Sequence, residues 1–214
     1  MAPVEIIQLA NCPTVPWRNG GGSMQLVATH PPEATAVEFD WRISVAQVVQ
    51  DSPFSAFPGY DRCIALLSGN GMVLSSRVNG IDENLNHPLQ PFHFAGEASI
   101  RASLNDGPLS NLSVLARRGV CCIEFNCLHA PINLTLPDLH MPVLIHCVSG
   151  EISMEPPNQA PLLIRSTEFV LWRSESPRMR LTSSTDDTRV VLIKLRPTGT
   201  HTPSAANASR TAAT

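Results

Sequence analysis

Charged side chains are scarce in this chain: 15% of its residues are Asp, Glu, Lys or Arg, and the balance is a slightly acidic net −3. A nucleic-acid surface needs a basic excess or stripe, and an anionic membrane face needs clustered lysines and arginines, so composition argues against both partners. No stretch approaches the ~20 continuous apolar residues of a membrane-spanning helix. The opening Met1-Ala2-Pro3-Val4-Glu5 lacks the basic region and apolar core of a secretory signal. The six cysteines, Cys12, Cys63, Cys121, Cys122, Cys127 and Cys147, form no Cys-x-x-Cys pair, and none of the seven histidines forms a His-x-His pair. Reduced, mostly buried thiols and a cytoplasmic location are therefore expected. Nucleophile elbow, Ser-His-Asp order, P-loop and dinucleotide fingerprint are all missing. A chain of 214 residues buries ~70% of its unfolded surface and needs neither disulfide nor metal to hold a core.

What the chain does contain is proline, 19 residues of it, between short runs of Val, Ile, Leu and Thr. Sustained helical periodicity is rare, so the pattern predicts many short strands joined by turns, in a sandwich or barrel. Over Trp41-Arg42-Ile43-Ser44-Val45 the alternation puts Trp41, Ile43 and Val45 on one face and Arg42 and Ser44 on the other. Whether that second face meets the interior or solvent is open at this level. Cys63 to Leu67 runs into Ser68-Gly69-Asn70-Gly71, which predicts a hairpin with Met72-Val73-Leu74. Val143 to Val148, Ser149-Gly150 and Ile152-Ser153-Met154 repeat the device and suggest an internal duplication. The expected division is a first barrel at 1–127, a second at 128–198 with strands able to swap between the two, and a disordered Pro-, Ala-, Ser- and Thr-rich tail at 199–214.

Pro16-Trp17-Arg18-Asn19-Gly20-Gly21-Gly22 is the most unusual stretch. Consecutive glycines are entropically expensive to order and mark a tight turn or a close backbone approach. Preceded by a flat apolar ring, a fixed positive charge and an amide, they read as one corner of a small-molecule pocket, with a plain turn into the first strand as the alternative. Met24, Leu26 and Ala28 alternate with Ser23, Gln25 and Val27, so the loop feeds a strand.

The same heptapeptide resembles the opening signature of the HutD/Ves family. So do Phe39 to Ala46, Pro53 to Arg62, Pro91-Phe92-His93-Phe94-Ala95-Gly96 and Ala116-Arg117-Arg118-Gly119, and the resemblance is densest from Ile6 to Arg118. It implies an all-β bicupin, two jelly-roll-like barrels in one chain, in a family often encoded with histidine-degradation enzymes and regarded as small-ligand binders or regulators. The chain departs from the family at Gln25, where an acidic residue is usual, and at Asn111-Leu112-Ser113, where Asp-x-Asn is usual. Both changes remove carboxylates.

A metal-binding cupin needs imidazoles and a carboxylate converging on one ion. The first barrel offers Ser55, Phe57 and Arg62 instead, and the second only the isolated pair His140 and His146, so no metal and no cofactor is expected. Arginines then become the chemical actors, since guanidinium grips a carboxylate with two parallel hydrogen bonds. The candidate ligand-binding set is Trp17, Arg18, Asn19, Gly20, Gly21, Gln25, Arg42, Ser44, Phe54, Ser55, Arg62 and His93, with the glycine amides as further donors. Phe57, Phe92 and Phe94 can wall the same pocket or pack the core. Three functions follow: a metal-free sensor or regulator that binds a small carboxylate or imidazole metabolite of histidine breakdown, a metal-independent isomerase or hydrolase using His93 or a carboxylate as base, or a protein-interaction scaffold. A homodimer through sheet edges is expected in any of them.

Overall fold

The computed structural model describes residues 4–17, 19–137, 141–156, 160–173, 178–183 and 185–198. The tail expected at 199–214 lies outside them, as do Arg18 and His140. Apart from one 3-10 turn at Leu9–Asn11, the regular elements are strands. In chain order they are β1 (Val4–Gln8), β2 (Thr14–Pro16), β3 (Gly22–His30), β4 (Trp41–Val48), β5 (Ser52–Pro53), β6 (Tyr60–Ser68), β7 (Met72–Ser76), β8 (Ile81–Leu85), β9 (Pro91–Ala95), β10 (Arg101–Leu104) and β11 (Leu109–Arg117). There follow β12 (Cys121–His129), β13 (Asn133–Leu136), β14 (Pro142–Ser149), β15 (Glu151–Glu155), β16 (Leu162–Arg165), β17 (Glu168–Arg173), β18 (Met179–Ser183) and β19 (Arg189–Pro197). No helix among the described residues is long and apolar enough to cross a membrane.

These strands form four antiparallel sheets, with orders β2-β3-β4-β11-β6-β9, β5-β10-β7-β8, β1-β17-β14-β19-β12 and β13-β18-β15-β16. The first two face each other across Ile64, Leu66, Met72, Leu74 and Ala102. The last two enclose Val143, Ile145, Ile152, Trp172 and Leu181. The result is a pair of jelly-roll β-sandwiches, and they stand back to back. Ile43, Val45, Leu112 and Val114 from the six-stranded sheet pack on Leu144, Leu171, Val191 and Ile193 from the five-stranded one, all within 2% of complete burial. Each such side chain contributes ~1.5–3 kcal/mol by leaving water.

One expectation changes. The turns at Ser68-Gly69-Asn70-Gly71 and Ser149-Gly150 do not close hairpins: β6 pairs with β11 and β9, β7 with β10 and β8, and β14 and β15 likewise lie in different sheets. Both flanks of β6 are already occupied, so the turn carries the chain across to the facing sheet. Strand pairing also crosses position 127, a swap of the kind the expected division allowed for. β12 pairs with β19 in the five-stranded sheet, and β1 pairs there with β17, so the N-terminal strand crosses to the second sandwich. The first sandwich therefore runs from β2 to β11.

The triple glycine acquires separate reasons at each position. Gly20 has φ +72°, in the left-handed region. A Cβ on Gly21 would come within 2.6 Å of Ser52 Cβ and Oγ, and a Cβ on Gly22 would overlap the Gln47 carbonyl oxygen across the β3–β4 ladder. Gly22→Ala must therefore push β3 off β4, and we expect it to lower the unfolding free energy by about 3 kcal/mol. Gly107→Ala, at an open turn with nothing within 4 Å of the added carbon, should cost only about 1 kcal/mol of left-handed backbone strain. Urea unfolding of the two variants separates close approach from turn conformation, and equal losses would remove the steric explanation.

Candidate functional site

Back-to-back packing decides the open question about β4. Trp41, Ile43 and Val45 face the second sandwich, so alternation turns Arg42, Ser44 and Ala46 into the first. The neighbouring central strands add to the same face. Register aligns Arg42 with Leu115 and Arg62, Ser44 with Ser113 and Ile64, and Ala46 with Asn111 and Leu66. Two arginines, two serines and an asparagine thus line up on the inner surface of this sheet.

A cavity of about 500 Å³ opens over this surface. Its floor includes Arg42, Ser44, Arg62 and Ser113, and its walls come from three connections. Trp17 and Asn19 belong to the glycine loop, Ala36 and Val37 to the β3–β4 connection, and Phe54, Ser55 and Phe57 to the segment leading into β6. The β3–β4 connection is pinned by Tyr60, whose hydroxyl donates to Phe39 O at 2.9 Å, and by Arg117 Nε, which donates to the same oxygen at 3.0 Å. That holds the Phe39 ring 4.6 Å from the Arg42 guanidinium carbon, while Phe57 closes the other contact at 4.9 Å. Arg62 stacks on Phe54 at 4.6 Å and on Phe94 at 5.6 Å.

Both arginines are only 8% exposed. Arg42 Nη1 donates to Ala36 O at 2.9 Å, while its Nε is buried without a partner. Arg62 Nε donates to Ser113 Oγ at 3.3 Å. Neither forms an ion pair with any carboxylate among the described residues. Burial, and secondarily the Arg42 charge, pushes the Arg62 guanidinium down to about 10. Burial also holds Arg42 below the usual arginine range. Aromatic faces offset part of this desolvation, but two like charges remain inside the sandwich with no anion to meet them.

Of the residues expected at the site, Trp17, Asn19, Arg42, Ser44, Phe54, Ser55 and Arg62 line the cavity. Others do not. Gln25 points to the opposite side of β3, where Nε2 donates to Leu9 O at 2.9 Å and Cys12 O at 3.1 Å and ties down the 3-10 turn. His93 is exposed on β9, between Phe92 and Phe94, which pack inward. The amides of Gly20 and Gly21 are occupied within their own loop, by Trp17 O at 3.1 Å and Asn19 Oδ1 at 3.0 Å. Met24, Ala36 and Val37 belong to the lining without having been proposed for it, and so does Ser113, noted from sequence only as a departure from the family pattern. Ser113 had a signal: with Asn111 it places polar residues two apart in an otherwise apolar strand. Asn111 is 1% exposed, and neither of its amide atoms finds a partner among the described residues.

No cluster of three His, Cys, Asp or Glu residues suited to a metal occurs among the described residues. His146 is a packed core residue. Its ring stacks on Phe169 at 3.9 Å, its Nδ1–H donates to Glu168 O at 3.0 Å, and burial pushes its pKa down to about 4.

The HutD family model matches residues 9–191. A curated relative, Protein Ves of Citrobacter koseri, is 36% identical over 119 residues, which is 55% of this chain and 60% of the relative. A conserved protein of unknown function from Pseudomonas aeruginosa PAO1 has a similar structure, with TM-score 0.80, 24% identity and coverage of 90% of this chain and 98% of the other. HutD from Pseudomonas fluorescens SBW25, in a structure described as a formate condition, aligns with TM-score 0.74 and 23% identity, covering 92% and 100%. A cupin 2 conserved barrel domain protein from Leptotrichia buccalis aligns with TM-score 0.57 and 10% identity over 81% and 88% of the two chains.

Two substitutions check the site's energetics. Arg62→Met removes an uncompensated buried charge and should raise the unfolding free energy of the ligand-free protein by about 1–3 kcal/mol. A loss of that size instead would mean that the chain itself supplies the charge with a partner. Gln25→Ala deletes two hydrogen bonds and should cost about 1–2 kcal/mol without altering the cavity, as followed by chemical denaturation.

Proposed function

The chain belongs to the HutD family, and on that premise we propose that its first sandwich is a receptor for a small metabolite carrying a carboxylate, with imidazole-bearing acids of histidine breakdown as first candidates. One observation carries the reading: Arg42 and Arg62 share a cavity, are buried, and have no carboxylate partner among the described residues. A charge-assisted hydrogen bond to such a group is worth ~1.5–3 kcal/mol, so two arginines can sustain a micromolar site of about 8 kcal/mol. The formate named for the Pseudomonas fluorescens structure is the smallest carboxylate and is compatible with this chemistry.

Binding fits the lining better than catalysis does. Among the described residues no Asp, Glu, His or Cys lines the cavity, so none of those supplies a general base there. His93, the base considered from sequence, is turned away from it. We therefore favour a cytoplasmic sensor or buffer of a pathway acid, whose occupied and free forms differ in the charge state of the sandwich interior.

Thermal unfolding in the presence of urocanate, histidine, formylated glutamate and formate tests the proposal. Ligand at 100 times its Kd stabilises by about 2.7 kcal/mol, which raises Tm by roughly 5–10 °C for a chain of this size. No shift with any of the four, on folded protein, would remove the reading. The pH profile is a second check. Arg62 stays protonated until pH approaches about 10, so affinity for a carboxylate should be level across neutral pH and fall as pH rises through that value. Calorimetric titration at several pH values measures it.

A further inference from the structure

We propose that residues 31–39, the connection between β3 and β4, are a hinged lid over the cavity, held shut on Arg42 and set at its hinge by Tyr60. The proposal rests on the reading of the cavity as a binding site and concerns how that site is entered. The feet of the connection are fixed. Asp40 N donates to His30 O at 2.7 Å, Arg117 N donates to Asp40 O at 2.7 Å, and Phe39 is 1% exposed. A surface loop whose ends meet in this way is an Ω-loop, a unit that packs on itself. Between the feet its bonds are mostly its own. Ala34 N donates to Pro31 O at 3.0 Å, and Thr35 Oγ1 accepts from Glu38 N at 3.0 Å and from Val37 N at 3.4 Å.

The tip reaches the sandwich through little else. Ala36 O accepts from Arg42 Nη1 at 2.9 Å, and Ala34 adds one small apolar contact with the cluster of Phe39, Tyr60 and Leu115. Val37 O lies 3.3 Å from the Tyr60 hydroxyl, whose single proton is also drawn to Phe39 O at 2.9 Å. Val37 lines the cavity and is still 69% exposed. A segment with so few buried apolar contacts opens locally at small cost. A guest in the cavity gives Ala36 and Val37 apolar surface to cover, so occupancy favours the closed lid. Tyr60 is the positioning residue. Its hydroxyl accepts from Phe39 N at 3.3 Å and from Arg117 Nη2 at 3.2 Å while donating to the loop carbonyls, so one group fixes the hinge. The lid covers one arginine and not the other. Arg42 meets Ala36 and Phe39, whereas Arg62 is clamped by Phe54 and Phe94, which lie outside the loop.

Arginine modification tests the lid without any ligand. The full chain is treated with phenylglyoxal, and the rates at Arg42, Arg62 and the exposed Arg77 are read by peptide mass spectrometry. Arg42 should react about tenfold or more slowly than Arg77, because local opening must come first. Tyr60→Phe keeps the ring and deletes the hinge hydroxyl. Thr35→Val, at an exposed position outside the cavity lining, keeps the shape and deletes the loop's own bonds. Each variant should speed Arg42 roughly fivefold, the factor that one net hydrogen bond gives, and leave Arg62 within about twofold. Thr35→Val decides alone if Tyr60→Phe does not fold. Equal acceleration of both arginines means a general loosening of the sandwich and would overturn the lid. So would an unchanged Arg42 rate in folded variants, or an Arg42 that reacts as fast as Arg77. Protection of the two arginines by urocanate, histidine, formylated glutamate or formate is a separate arm. Failure of all four to protect counts against the acid site, while the ligand-free rates still decide the lid.

Discussion

The contact that organises this molecule is the dry layer between the six-stranded and five-stranded sheets. A strand has only two faces, so once Ile43, Val45, Leu112 and Val114 are committed to the second sandwich, their alternating neighbours have nowhere to go but inside the first. Arg42, Ser44, Asn111 and Ser113 are therefore buried by geometry. A one-residue slip would carry Arg42 and Ser44 into that apolar layer, where neither the aromatic clamps nor the cavity would meet them, so the register is strongly fixed. The fold holds the charges where they are, and the β3 bulge between Leu26 and Ala28 serves the same layer by letting both Val27 and Ala28 join it.

Holding two guanidiniums in a sandwich interior is unfavourable, and the surroundings show how it is tolerated. Phe39 and Phe57 face one, Phe54 and Phe94 the other, so quadrupoles take the place of counter-ions. The contrast with Arg118 is instructive. On the surface, Arg118 is met by Asp61 at 2.8 Å and Glu97 at 2.7 Å. The chain has carboxylates to give and gives them to the outer arginines. An interior that withholds them leaves guanidinium donors unpaired with any carboxylate among the described residues, which is the basis of the proposed acid site.

Much of this was legible in the sequence, and the failures have physical causes. The alternation of β4 was readable because an eight-residue strand repeats the pattern enough times. Its orientation was not, because a sheet sandwiched between two others is buried on both faces, and burial was the cue for choosing. The cavity residues Trp17, Asn19, Phe54 and Ser55 were readable because loops that combine aromatics with glycine or proline seldom serve as plain connections. The Gly69 and Gly150 turns looked like hairpins because turn chemistry reports that the chain bends, and cannot report which sheet it enters. Gln25 and His93 were misplaced for a similar reason. Each lies near site residues in sequence, and period two sends it to the opposite face. Gln25 proves to be a clasp on the N-terminal segment, which must be held because β1 crosses to the second sandwich.

The two halves repeat one strand plan, and comparison of their interiors explains why the two-arginine cavity lies in the first. In the sheet orders β4-β11-β6-β9 and β12-β19-β14-β17 the strands correspond one to one, as do β5-β10-β7-β8 and β13-β18-β15-β16. Aligned on the turns Ser68-Gly69 and Ser149-Gly150, Arg62 corresponds to Val143, and the ladder then matches Ser113 with Leu192 and Asn111 with Val190. These three polar positions of the first interior are apolar and at most 2% exposed in the second, whereas Ser44 matches Asn126, which is exposed on β12. Arg42 corresponds to Glu124, which leaves the interior altogether and pairs with Arg196 at 2.8 Å. The same topology thus produces a filled core in one half and a charged cavity in the other, by substitutions along the matched strands. Because the two sheets share a face, the filled half stabilises the charged one directly. A single sandwich with this polar interior would have to fold against its own desolvation, whereas here the layer between the halves supplies the surplus.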